Sequence, residues 1–332
     1  MELSNSQIVK SVKVAVPLAL AVGILWWMYR GIGWEELADA LEHKMSWTWM
    51  LLSMPFGVLA QVLRAARWRQ VLAPAGERPR LSTCIHAVFL SYASSLVVPR
   101  VGEVLRCGVL KRYEGTNFTM SVGTVVTERI IDTLFILVLS LLTFLTQIPV
   151  FLDFFRHTGV SVSSILGSFS LTGWLVTAAC GLLALVCVVL VSRRFRILSR
   201  TKNVVSDLKN GLLSVRDVER PMLFVAYSAG IWLSYYLHFY LTFFCFDFTA
   251  GLGGMAALVA FVVGTFAVLV PTPNGAGSWH FAVKTVLVLY GVGQTEAAVF
   301  VLIVHTLQTL LVALLGIWSS AALALRRSKA SQ

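Results

Sequence analysis

Residues 248–283 read FTAGLGGMAALVAFVVGTFAVLVPTPNGAGSWHFAV, an uncharged stretch with a cluster of Pro and Gly in its second half. A helix needs roughly 20 apolar residues to cross about 30 Å of hydrocarbon, so this stretch is long enough to cross and turn back. The cluster PTPNGAG at 271–277 interrupts it, because Pro lacks the amide a helix interior needs and Gly admits left-handed backbone. The stretch therefore reads as two apolar helices joined at a break. It shows none of the apolar–polar alternation of a barrel strand, the other structure that can satisfy its backbone in lipid.

Outward from this segment the same pattern repeats. Uncharged runs cover Val14–Tyr29, Met45–Leu63, Leu81–Pro99, Thr133–Leu152, Thr158–Ser192, Pro221–Phe246 and Ala297–Leu325. Of the 332 residues 57% are hydrophobic and 13% are charged, far from the soluble balance. The first run ends in Trp26, Trp27, Tyr29 and Arg30 with no small-residue cleavage site, so it reads as a retained span with an interfacial anchor.

Charge sets the orientation, since short loops rich in Lys and Arg stay cytoplasmic. Arg64, Arg67, Arg69, Arg78 and Arg80 fill one connection, and Arg193 to Arg220 hold eight basic residues in another. Glu35, Glu36, Asp39 and Glu42 dominate the first loop, and Asp153, Asp247 and Glu296 lie in poorly basic connections. Lys10 and Lys13 before the first span, and Arg326, Arg327 and Lys329 after the last, place both termini inside. The net charge of +11 follows from this topology and from attraction to anionic lipid, not from nucleic-acid binding.

Parity then requires two hairpins. Residues 81–112 are flanked by basic connections at both ends, and residues 248–296 by poorly basic ones, so each segment enters and returns on one side, from opposite faces. The expected fold is an all-α, polytopic integral membrane bundle of about six full spans plus two opposed broken or re-entrant hairpins. Such a pairing suggests inverted repeats. The whole of 1–332 reads as a single transmembrane domain, with a basic cytoplasmic loop at 193–220.

Ionisable residues accompany both breaks. Pro99, Arg100, Gly102, Glu103 and Arg106 mark the first; Pro271, Pro273, Asn274, Gly275, Gly277 and His280 mark the second, with Lys284 beyond. Unwound backbone at membrane depth is tolerated only where protein or a water-filled cavity satisfies it. The plainer alternative is that Pro and Gly merely end ordinary helices. A third constellation is TERIID, Thr127–Asp132. Glu128 and Asp132 lie four apart and share one helix face, where they would pair with Arg67, Arg100 or Arg106, because intramembrane charges are costly unless partnered. Against that stands snorkelling of these side chains from a helix end to water.

The succession RAARWR at 64–69, PRVGEVLR at 99–106, TERIID at 127–132 and PTPNGAGSWH at 271–280 resembles the membrane region of the lysylphosphatidylglycerol synthase and flippase family, also described as the flippase-like domain family. The resemblance runs over essentially the whole chain. It implies paired re-entrant helices and a polar cavity lined by Arg67, Arg100, Glu103, Arg106, Glu128, Arg129 and Asp132, with Pro271, Gly275 and Gly277 in the second broken helix. It also implies movement of a lipid, aminoacylated in the best understood members, between leaflets. Only seven residues follow Leu325, so no soluble transferase domain is expected. His280 and Asn274 stand where the family pattern has Glu and Gly, which leaves the substrate open.

The function expected from these residues is translocation, across the cytoplasmic membrane, of an anionic phospholipid or lipid-linked head group whose phosphate an Arg fork would hold. A membrane-embedded transferase using Glu103, Glu128, Asp132 and His280, and a small-solute transporter, are the alternatives. No cofactor or metal is expected: the five cysteines show no C-x-x-C spacing, no H-E-x-x-H pattern occurs, and GLGG at 251–254 follows no strand. Membrane lipids are the expected partners. Homo-oligomers and a separate lipid-modifying enzyme are left open, and nucleic acid is not expected.

Overall fold

A computed structural model describes residues 22–26, 28–30, 33–158, 210–211, 213–270 and 272–330. Within these residues the chain is helical. The principal helices are α1 (Trp34–Asp39), α2 (Trp47–Leu72), α3 (Leu81–Ser95), α4 (Val101–Glu114), α5 (Phe118–Thr158), α6 (Pro221–Tyr240), α7 (Gly253–Ala267), α8 (Ser278–Leu289) and α9 (Gln294–Ala330). Three of them contain stretches long and apolar enough to cross a membrane: Trp47–Leu72, Phe118–Ile148 and Gln294–Arg326. The chain is a helical membrane protein. The apolar runs at 14–29 and 158–192 lie largely or wholly outside the described residues.

Side-chain ties fix how the helices run. His238 Nδ1 lies 2.8 Å from the Ser53 carbonyl and Arg67 Nη1 donates to Ser228 at 3.1 Å, so α2 and α6 are antiparallel. Gly57 makes that packing possible, because a Cβ there would lie 2.8 Å from His238 Nε2. One end of the bundle is closed by Arg80 on Glu114 at 2.9 Å, the Asn117 amide donating to Glu77 at 2.7 Å, and Arg326 donating to Thr83 at 3.4 Å. At the other end the Ser46 amide donates to the Cys245 carbonyl at 2.8 Å, and nearby Tyr236 donates to the Gly254 carbonyl at 2.9 Å.

These contacts set two hairpins against each other. In the first, α3 starts and α4 finishes at the Arg80–Glu114 end, and the chain turns back through residues 96–100. The second, α7–α8, opens at the other end and turns back through residues 268–277. Helices of 15, 14, 15 and 12 residues form their arms, each shorter than the roughly 20 residues of a simple span. Gly102 is buried where α4 begins, and a Cβ there would collide with the Ser91 carbonyl.

Two packed regions stabilise this arrangement. Met50, Phe239, Phe243, Phe246, Val283 and Phe300 meet in the larger, with the Phe243 and Phe300 rings 5.4 Å apart edge to face. Trp68, Leu72, Cys84, Val88, Cys107, Leu110 and Val125 form the smaller, beneath the first hairpin. Between helices already in lipid such contacts act through close packing rather than removal from water. On the outer face of α5, Leu134, Leu137, Val138, Leu141 and Leu145 are each more than half exposed.

Two boundaries differ from the sequence reading. The second apolar run does not stop at Leu63, because α2 continues to Leu72 and carries Arg64, Arg67 and Arg69 on helix, where the sequence reading had a loop. Likewise Glu128 does not begin a span. It lies roughly ten residues, or about 15 Å, inside α5. The helices run through Arg64, Arg67, Glu128 and Asp132 because these pair with one another, while Arg69 is exposed.

Candidate functional site

The buried charges converge where α2, α4 and α5 cross. Arg64 and Arg67, three apart on α2, reach the same α5 face: Arg64 Nη1 is 2.6 Å from Asp132 Oδ2, and Arg67 Nη2 is 2.7 Å from Asp132 Oδ1. Arg67 also approaches Glu128 Oε1 at 3.4 Å, and Arg106 from α4 closes on Glu128 Oε2 at 2.5 Å. Glu128 and Arg67 are fully buried, and Arg64, Arg106 and Asp132 nearly so. Snorkelling is thereby excluded. The two acids pair with Arg67 and Arg106, as the spacing suggested, and with Arg64.

Neighbouring groups hold the cluster in place. The Arg106 guanidinium lies 4.5 Å from the centroid of the Trp68 ring, whose indole N–H donates to Thr124 at 2.9 Å. Arg64 stands over Tyr235, which shares a 2.6 Å hydroxyl contact with Tyr92 of the first hairpin. Toward the outside the cluster opens into a half-exposed pair: Arg129 Nε is 3.4 Å from Glu103 Oε1, while Arg129 Nη2 reaches back to Asp132 at 3.1 Å.

The charges do not cancel. Three guanidinium groups face two carboxylates in the buried part, and the Arg129–Glu103 pair at the edge is neutral, so among the described residues one positive charge remains uncompensated. The Nε atoms of Arg64, Arg67 and Arg106 are buried without a hydrogen-bond partner. A buried cation without an anion, and an unbonded charged donor, each cost on the order of a few kcal/mol. The cluster is therefore electrostatically suited to an anion.

Arg100 stands apart from this network. It caps α4 at the hairpin tip, exposed, with φ 63, and makes no ion pair among the described residues. Pro99 sits beside it in the turn, half-buried.

The second break is built from neutral groups. Asn274 takes φ 52, with Gly275 at φ 71 and Gly277 at φ 84, so three of four consecutive residues are left-handed. The Asn274 amide donates to Thr309 at 2.7 Å, and its carbonyl lies 3.1 Å from His305 Nε2. Pro273 opens the short turn, and the Gly277 amide donates to His280 Nδ1 at 3.2 Å. The rings of His280 and His305 lie 4.4 Å apart between centroids. Pro271 lies outside the described residues.

Sequence reasoning missed Arg64, Ser228 and His305 as members of these sites. Arg64 carried a signal, its spacing of three from Arg67. Ser228 and His305 carried none, since each meets its partner across helices. Among the described residues no group of three or more His, Cys, Asp or Glu side chains converges as a metal site would require.

A profile of the family described as "Lysylphosphatidylglycerol synthase TM region" matches residues 14–316. No curated protein and no solved structure matches the chain.

Proposed function

We infer, for a chain that belongs to the lysylphosphatidylglycerol synthase transmembrane-region family and so has a membrane-lipid role, that it moves an anionic phospholipid or lipid-linked head group between leaflets. The uncompensated charge of the Arg64–Arg67–Arg106–Glu128–Asp132 cluster carries this reading. A phosphate entering beside Arg106 would neutralise the surplus and accept from the unbonded Nε–H groups. The acyl or prenyl tails would stay in hydrocarbon along the exposed side of α5. Arg129 and Glu103, half-exposed at the edge, are where a head group would exchange one ion pair for another.

The short arms of both hairpins support a re-entrant arrangement, with broken backbone near mid-membrane on either side of the path. In this reading the chain is a transporter in the cytoplasmic membrane. The end carrying Arg78, Arg80, Lys111, Arg112, Arg220 and Arg326 faces the cytoplasm, with both termini on that side.

The test is leaflet movement of fluorescent anionic phospholipid, polyprenyl phosphate and zwitterionic phospholipid in liposomes holding the purified protein. Arg106→Gln leaves two guanidinium groups facing two carboxylates and keeps an amide that can donate to Glu128; in protein that a melting curve shows to be folded, it should lose movement of the anionic lipids by tenfold or more. Equal rates in wild type and variant would overturn the reading.

A further inference from the structure

A second basic site lies on a different face of α2. Arg69 is two residues beyond Arg67, about 200° around the helix, and points away from the buried cluster. It borders a cavity of about 320 Å³ shared by the last turn of α2, the following connection and the first turns of α6, with Gln70, Arg78, Arg220, Leu223 and Tyr227 among its walls. Arg78 is engaged with Glu219 at 3.4 Å. Arg69 and Arg220 have no acidic partner among the described residues, so the walls carry three cations against one anion.

Two further features give the cavity direction. Arg220 precedes Pro221 at the start of a 20-residue helix whose first turn no side chain caps, so the amide ends and the positive end of the helix dipole add to the guanidinium field. Gln70 Oε1 is buried with no donor. Gln70 lines the same cavity, and rotation of its side chain would present that acceptor to a ligand that brings an anion and a hydrogen-bond donor together. Leu223, Tyr227 and Leu81 supply an apolar wall continuous with the membrane-facing helices.

We propose that this cavity binds a phosphate ester bearing a hydroxyl or an N–H-bearing ammonium group, with the phosphate between Arg69 and Arg220 and the donor on Gln70. The site is independent of the translocation reading, because a chain that moved no lipid could still hold such a group there. The same chemistry is offered by a lipid head group and by a soluble phosphate ester, and the apolar wall favours the lipid.

The experiment uses the full chain purified in detergent, titrated with dihexanoyl phosphatidylglycerol, sn-glycerol 3-phosphate and dihexanoyl phosphatidylcholine, with bound ligand counted by native mass spectrometry. Arg69→Gln/Arg220→Gln should weaken phosphatidylglycerol by roughly tenfold or more, with an unchanged melting temperature since both side chains are exposed. Gln70→Leu should weaken phosphatidylglycerol while leaving phosphatidylcholine unaffected. Binding of glycerol 3-phosphate as tight as that of the lipid, lost in the same variants, supports the site and names the soluble ester as its source. Phosphatidylglycerol binding unchanged in the double variant, or matched by phosphatidylcholine in wild type, overturns the proposal. Either result leaves the Arg106 transport experiment standing on its own, and failure of that experiment leaves this one standing.

Discussion

The two hairpins break a helix inside the bundle in opposite chemical ways. At the first, α3–α4, the surroundings are ionic: Arg106 enters a buried network with Glu128 and Asp132, and exposed Arg100 takes a left-handed backbone at the tip. At the second, α7–α8, the surroundings are neutral: the Asn274 side-chain amide donates to Thr309, its backbone carbonyl meets His305, and His280 accepts from the Gly277 amide. The neutral break can close on itself because it holds acceptors as well as donors. The ionic break cannot, since guanidinium groups only donate and outnumber the carboxylates beside them. Among the described residues the unbonded guanidinium N–H groups thus gather beside the ionic break, where an anion would find its donors.

Removing a shared acid should strain the comparison most. Glu128→Ala leaves Arg67 and Arg106 without their common carboxylate, and the expected loss is about 3–5 kcal/mol, read as a large drop in detergent melting temperature. A small drop would mean water or lipid already reaches the cluster. Next in size is Gly102→Val. Its side chain would enter the Ser91 carbonyl and force α3 from α4, costing about 1–3 kcal/mol and loosening the first hairpin in hydrogen exchange but not the second.

At the neutral break, His305→Leu removes the partner of the Asn274 carbonyl and should cost about 1–3 kcal/mol, with anionic lipid movement retained. Loss of that movement with the fold intact would place the second hairpin on the transport path as well. The smallest effect separates the two tips. Arg100 and Asn274 are the non-glycine residues with positive φ among those described. Asn tolerates this conformation and Arg does not, so Arg100→Gly should stabilise by up to about 1 kcal/mol, whereas Asn274→Gly should destabilise through lost side-chain bonds.

Much of this was legible from spacing. The four-residue interval between Glu128 and Asp132 put both acids on one face, and the broken apolar runs placed both hairpins with their turns near Pro99 and Gly275. The burial of Arg64 is not legible there, because the end of an apolar run reads as the end of a helix. A charged residue ends a membrane helix only when nothing in the bundle neutralises it, and Asp132 lies 68 positions away. The meeting of His280 with His305 has the same cause: helix periodicity speaks within one element and is silent between two. The left-handed backbone at Arg100 comes from the hairpin closure, not from a residue preference that would announce it.

A phosphate completing the cluster would accept from the unbonded Nε–H groups of Arg64, Arg67 and Arg106. The most direct measurement is a proton–nitrogen spectrum of arginine Nε–H groups in the labelled protein, assigned through single Arg→Lys variants, before and after short-chain anionic lipid is added. The Nε–H signal of Arg106 should shift with anionic lipid and stay in place with zwitterionic lipid. If it stays in place with both while liposomes still move anionic lipid, the buried cluster is structural and the path lies elsewhere.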